Sequence, residues 1–311
     1  MGTMGLALKL PAVVLAALLF PPAGREQPPL RYKYKAGDKI EYVLRQDQKM
    51  SMSVNGMDIE VKVGMEMEMT WRALSVDREG NAKVKATFPR VKMSMKSAAA
   101  NAEVDSKDEA EPKDPTSKAL APAVKALAGL EMTFTTDPRG EIKEVKIGEE
   151  ALKRLKEMPG ASSLGDMLSP NNFKSMVSGG MVLPTAAPQK GKSWTRKSET
   201  KLPFGKMTGS TKFTYDGTVE KGGRKLAKIL VVPELKLESD PAAAVTVKIE
   251  DSKTKGYVLF DNSAGRVAET SMESTMKMEV VTNGMTIKQL VTQTMTMRLK
   301  GLKAPAPGEK K

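Results

Sequence analysis

From Met65 to Trp71 the chain reads Met-Glu-Met-Glu-Met-Thr-Trp, and this alternation constrains the fold more than any other feature. Side chains of an extended strand point alternately to opposite faces, so Met65, Met67, Met69 and Trp71 share one face while Glu66, Glu68 and Thr70 share the other. A helix would scatter the same residues around its axis. The stretch therefore predicts a half-buried antiparallel strand. The rhythm returns at Met50/Met52, Met93/Met95, Met276/Met278 and Met295/Met297.

The turns between these stretches fix an order. Asn55-Gly56 is a two-residue hairpin signal, because both residues tolerate positive φ, and it joins arms at Ile40–Val54 and Met57–Val76. A second turn at Asp77–Asn81 leads into Ala82–Phe88, where Pro89 is expected to end the pairing by removing a donor. Residues 98–115 hold Ala, Asp, Glu, Lys and Pro without an aromatic, which predicts a solvated loop. A short helix is expected over 117–127, then strands at 130–136 and 142–147 around Asp137-Pro138-Arg139-Gly140. Helices are expected at 149–158, opened by acidic residues and stopped by Pro159-Gly160, and at 170–178 after Ser169.

The second half restates the first. Lys190–Trp194 stands where Ala36–Ile40 stood, Phe213 and Tyr215 take the places of Met69 and Trp71, and Asp261–Val267 corresponds to Asp137–Ile142. The fold class is thus mainly β: a duplicated antiparallel curved sheet or partial barrel with a few short helices. The expected organisation is a signal peptide at 1–24, a linker at 25–30 and a first β-rich unit at 31–148. A helical bridge at 149–187, a second β-rich unit at 188–303 and a disordered tail at 304–311 follow. The leader has Lys9 before an apolar run from Ala12 to Phe20, too short to span a bilayer. Export to the periplasm, cell envelope or medium is expected, without a lipid anchor because there is no cysteine.

Composition removes whole chemistries. With no Cys and no His, thiol catalysis, Ser-His-Asp arrangements, zinc-thiolate sites and imidazole metal sites are excluded. No phosphate loop, nucleotide fingerprint or nucleophile elbow occurs in the required context, so no catalytic residue, cofactor or enzyme activity is expected. A net charge of +13 favours anionic partners, but aromatics at 5% and basic residues dispersed along strands argue against nucleic acid. Lys190, Lys192, Arg196 and Lys197 are candidates for contact with an anionic envelope polymer or membrane surface.

Three readings of the 22 methionines stay open. They fill an ordinary β core, since the thioether adapts to irregular gaps. They line a site for a lipid-like or other apolar ligand, with Met65, Met67, Met69, Trp71, Met276, Met278, Met295 and Met297 as candidate lining. Or they bind Cu(I), which soft thioethers select.

The opening Tyr32–Tyr42, the Asn-Gly hairpin and the Asp-Pro-Arg-Gly turn at 137–140 together resemble an uncharacterised family of exported bacterial β-rich proteins, a domain of unknown function. That resemblance implies a secreted or envelope protein and no activity. The coarse layout is also similar to LolA-like lipoprotein and lipid carriers, which implies an apolar ligand.

Overall fold

The computed structural model describes residues 28–54, 57–150, 153, 181–202, 204–240, 243, 245–282 and 284–302. In chain order its elements are β1 (Lys39–Val54), β2 (Met57–Val76), β3 (Ala82–Ser97), β4 (Asn101–Asp105), the helix α1 (Pro115–Ala128), β5 (Glu131–Thr136) and β6 (Ile142–Ile147). Then come β7 (Ser193–Leu202), β8 (Gly205–Lys221), β9 (Arg224–Ser239), β10 (Val245–Asp261), β11 (Arg266–Thr282) and β12 (Met285–Leu299). All strands join one antiparallel sheet in the order β6-β5-β3-β2-β1-β12-β11-β10-β9-β8-β7, with β4 beside β3. Among the described residues β6 and β7 do not pair, so the sheet is not closed into a barrel.

The duplication appears in this order. A five-stranded meander β1-β2-β3-β5-β6 is repeated as β7-β8-β9-β10-β11, and β12 joins the two by pairing with both β1 and β11. Matching hydrogen bonds open each meander: Gly37 N–H to Ala73 O with Ala73 N–H to Asp38 O, and Gly191 N–H to Tyr215 O with Tyr215 N–H to Lys192 O. This sets Tyr215 against Ala73, and Phe213 against Trp71, which moves the correspondence two residues along from that expected. A shift of two keeps the face, since the side-chain period is two.

The sheet is rolled at one end. The β5–β6 and β10–β11 turns are six strand spacings apart, centre to centre, about 29 Å on a flat sheet. Yet Tyr32 N–H donates to Pro138 O at 2.7 Å and the next residue, Lys33, donates its N–H to Gly265 O at 2.9 Å. Consecutive residues of one extended strap thus hold both turns together. The rolled end, the base, is filled from the apolar face by two clusters. Tyr42, Met69, Val84, Val91, Val124 and Phe134 lie in the first, and Leu30, Leu183, Phe213, Ile229 and Phe260 in the second. Met297 packs against both. Each such large side chain contributes about 1.5–3 kcal/mol on full burial. Tyr42 donates its hydroxyl to Val267 O at 3.1 Å, so its one polar atom is satisfied.

Several expectations need correction. Residues 98–115 are not simply a solvated loop: β4 lies there, with Ala102 and Val104 buried. The pairing of β3 does not end at Pro89. Phe88 and Pro89 sit in a bulge where the β2 register jumps from Thr70–Thr87 to Glu68–Arg90. On the other side β5 pairs only through Thr87 and β4 only from Lys92, so the missing donor of Pro89 is not called for. The helix begins earlier, at Pro115, because Asp114 caps it by accepting from Ser117 N–H. Of the residues expected as a linker, 25–27 lie outside the described residues and Leu30 is fully buried. Residues 181–187 of the expected bridge are not helical. The signal peptide, the Asn55-Gly56 turn, the 170–178 helix, nearly all of the 149–158 helix and the tail lie outside the described residues.

Candidate functional site

Register across the five central strands brings the alternating methionines onto one face. Starting from β1, Leu44 lies between Met67 and Met297, and Gln46 between Met65 and Met295, with Met93 and Met272 one strand further out on either side. Met50 lies between Val61 and Val291, the latter beside Met276. Met52 lies between Ile59 and Gln289, the latter beside Met278. Tyr42 pairs with Met69, and Ile40 with Trp71. All eight candidate lining residues therefore share one sheet face.

They do not share one environment. Met67, Met69, Trp71 and Met297 belong to the base, where Trp71 meets Tyr42 and Phe134 edge to face at 5.2 and 5.6 Å. Met65, Met295, Met276 and Met278 lie farther along the strands and are half-buried. Beyond the row of Leu44 the apolar face continues for about 30 Å to the hairpin tips at the far rim, at roughly 3.3 Å per residue. At that rim Met57, Ile59 and Met285 are exposed. From Leu44 outward, the described residues of β1, β2, β11 and β12 carry no ionisable side chain on this face.

The opposite face carries the charge. Arg45 donates to Glu66 at 2.8 Å, and Lys49 and Lys62 both hold Glu60. Two depressions of about 520 and 530 Å³ run along the central strands, lined largely by residues of this polar face such as Lys49, Lys62 and Glu273. Met52 and Met278 are the only methionines among their lining residues, so the depressions are not a methionine-lined cavity.

The four basic candidates do not form one patch. Lys190 and Lys192 precede β7, whereas Arg196 and Lys197 are neighbours within it and so point to opposite faces. Lys190 lies along Gly217, its Cδ 3.6 Å from where a Cβ would stand.

On the polar side of the base sits a charged centre that no local pattern in the sequence reveals. Glu269 has no exposed surface, yet its carboxylate accepts from Lys221 Nζ at 2.8 and 2.9 Å, Arg298 Nε at 2.9 Å and the Tyr257 hydroxyl at 2.7 Å. Burial opposes ionisation, but the Lys221 and Tyr257 hydrogen bonds and the two cations outweigh it, and the carboxyl is held below its ordinary range. Burial and this carboxylate push the Tyr257 phenol up to about 12. Asp105 is likewise held low by the Arg90 guanidinium, which chelates it across β3 and β4. Each carboxylate is held by the cations around it, so these groups read as structural ion pairs. Among the described residues no group of three carboxylates could hold a metal, and no helix is long and apolar enough to cross a membrane.

A profile described as a family of unknown function, DUF6263, matches residues 79–304. No curated protein matches the sequence. Among solved structures the chain is similar to lipovitellin, studied for its lipid–protein interactions, at 10% identity and a TM-score of 0.47, over 89% of this chain and 27% of that one. It thus spans about a quarter of the lipovitellin chain. It is also similar to the hypothetical lipoprotein YmcC from Escherichia coli, at 13% identity and a TM-score of 0.21, over 81% of this chain and 86% of that one. A DUF1329 family protein from Desulfovibrio piger follows at 8% identity and a TM-score of 0.16, over 84% and 87%. At these scores the likenesses say nothing of function.

Proposed function

The chain belongs to the DUF6263 family of unknown function, and on that premise we propose that it is an exported, non-enzymatic binding protein that holds a lipid-like or other apolar ligand on its methionine-bearing sheet face. The observation that carries this reading is the uncovered continuation of the apolar face. The same face that is packed by Tyr42, Met69 and Val91 at the base runs on past Met65, Met276 and Met278 with no described element over it. Apolar surface left in water is costly at about 25 cal/mol per Å², and contiguous patches of this kind mark places where something binds. Methionine suits the task because an unbranched thioether adapts to chains of varied shape.

The test is lipid extraction and native mass spectrometry of the protein purified from the envelope of its own cells. A bound apolar species in near-stoichiometric amount is expected, together with a mature terminus lacking about the first 24 residues. Ligand-free protein would end the reading. Copper retained in the same sample, with no lipid, would replace it with binding of Cu(I) by the facing thioethers of Met65 and Met93 or of Met272 and Met295. An intact Met1 on protein from the cytoplasm would refute export.

A further inference from the structure

The open face is not uniformly apolar. Midway along it, Gln48 of β1 and Gln293 of β12 are direct cross-strand partners, flanked by Val63 on one side and Ser274 on the other. Gln46 lies one row towards the base and Gln289 two rows towards the rim. Directly opposed residues hold their Cβ atoms about 5 Å apart, so the two amides are close neighbours. They are half-buried, and neither amide has a hydrogen-bond partner among the described residues. The next polar pair outward, Ser274 and Thr254, bonds to itself at 2.8 Å. Rows of Met65, Met295 and Met272 on the base side and of Met50, Val61 and Met276 on the rim side enclose the band.

A solvent-facing strand surface would place charged residues here, as the opposite face of the same strands does with Asp47, Lys49, Lys62 and Glu273. A packed core would place aliphatic ones. A primary amide offers two donors and an acceptor and carries no charge. Four such amides amid thioethers and aliphatics, on a stretch with no ionisable group, complement a molecule that is apolar over most of its length and carries one uncharged hydrogen-bonding group.

We infer that the paired amides of Gln48 and Gln293 select an uncharged amphiphile: a long apolar chain bearing an ester, amide or hydroxyl group, in preference to a bare hydrocarbon or an ionised fatty acid. This rests on the reading that the face holds an apolar ligand, and adds to it the class of ligand. A carboxylate laid on the band would lose its water and meet no cation on β1, β2, β11 or β12, the Arg196 of this face standing on the edge strand β7 five strands from β12, whereas an ester or hydroxyl would exchange its hydrogen bonds with water for bonds to the amides. The apolar rows on both sides take the chain to either side of the group.

The experiment measures binding of 1-monooleoylglycerol, oleate at pH 8 and hexadecane to the full chain and to its Gln48→Leu/Gln293→Leu variant, with circular dichroism as the check on folding. Monooleoylglycerol is expected to bind the parent protein at least about tenfold more tightly than oleate. The double variant should lose about tenfold for monooleoylglycerol and keep or improve its binding of hexadecane, the size of effect that two neutral hydrogen bonds produce. Equal binding of oleate and monooleoylglycerol by the parent, or an unchanged preference in the variant, overturns the selection by amides while leaving an apolar site. Should the double variant fail to fold, Gln48→Ala and the discrimination by the parent protein decide the matter. Retention of none of the three probes overturns the apolar-ligand reading itself. So does a dimer that Met276→Lys dissociates, because the face would then be covered by a second copy of the chain.

Discussion

The two ends of the central strands differ in what lies over them rather than in what they are made of. At the base, Met69, Met67 and Met297 of the apolar face join clusters that take in the strap, the segment 181–188, α1 and the side chains of a rolled sheet; toward the rim, Met276, Met278, Met50 and Met52 of the same face and the same strands are half-buried among their cross-strand neighbours and belong to neither cluster. The same residue type is therefore core at one end of a strand and surface at the other. Alternation establishes which face a side chain takes, while coverage is decided by elements far away in the chain. A methionine-rich strand is on this account neither a core strand nor a binding strand until its height in the sheet is known.

The contrast can be attacked at several strengths. The largest effect belongs to the base. Glu269→Gln should destabilise the protein by about 3–5 kcal/mol in urea unfolding, because Lys221, only 16% exposed, and Arg298 lose the carboxylate that compensates them. The same group sets a pH signature. Its folded pKa is depressed, so its stabilisation is fully present above the ordinary carboxylate value of 4.5 and is lost as pH falls below that value through the folded one. Unfolding midpoints of the parent should drop in that acid window, and those of Glu269→Gln should drop less. An equal acid slope in both proteins would show that other carboxylates carry it.

Next in size is a paired truncation of two methionines on one face. Met69→Ala, 8% exposed at the base, should cost about 2–5 kcal/mol, whereas Met278→Ala should cost under about 1 kcal/mol and instead weaken ligand retention. Equal costs in chemical denaturation would erase the distinction between the two ends. A smaller pair uses glycines of positive φ. Gly140 (φ +87°) has the Tyr32 ring only 2.5 Å from where a Cβ would stand, while Gly284 (φ +74°), at the rim, faces open space. Gly140→Ala should thus lower the thermal midpoint more than Gly284→Ala, which carries only the backbone strain of about 1–2 kcal/mol. Smallest of all is Glu66→Gln on the exposed polar face, where removing the partner of Arg45 should change stability by about 0.5 kcal/mol or less.

Much of this architecture was legible in the sequence, and the parts that were not have a common cause. Period-two methionines and the Asn-Gly and Asp-Pro-Arg-Gly turns are local signals, and they located β1, β2, β5 and β6 to within a residue or so. β4 escaped because its inward pattern is only Ala102 and Val104, set in a charged stretch that looks like a loop; its place is made by β3 and α1. Pro89 misled because the penalty for a missing donor vanishes in a gap between two partner strands, which no local pattern discloses. The separation of Arg196 from Lys197 was implicit in the pleat once β7 was recognised. Glu269 and the Gln48–Gln293 pair are different in kind. Each depends on which distant strand lies alongside, and for β1 that neighbour is the last strand of the chain.

That neighbour has a kinetic meaning. Tyr42 pairs with Leu299, so the first and last strands meet in the middle of the sheet, not at its edges. While the chain is being synthesised, the β1–β2 hairpin can form and can be extended by β3, but its inner edge stays without a partner until the final strand exists. Closing so long a loop is the slow step in a topology of this sort, and the waiting edge is where misassociation would start. In chain order the first half of the sheet runs outward from its centre and the second half inward from its edge, so the seam between β1 and β12 is the last pairing that the growing chain can make.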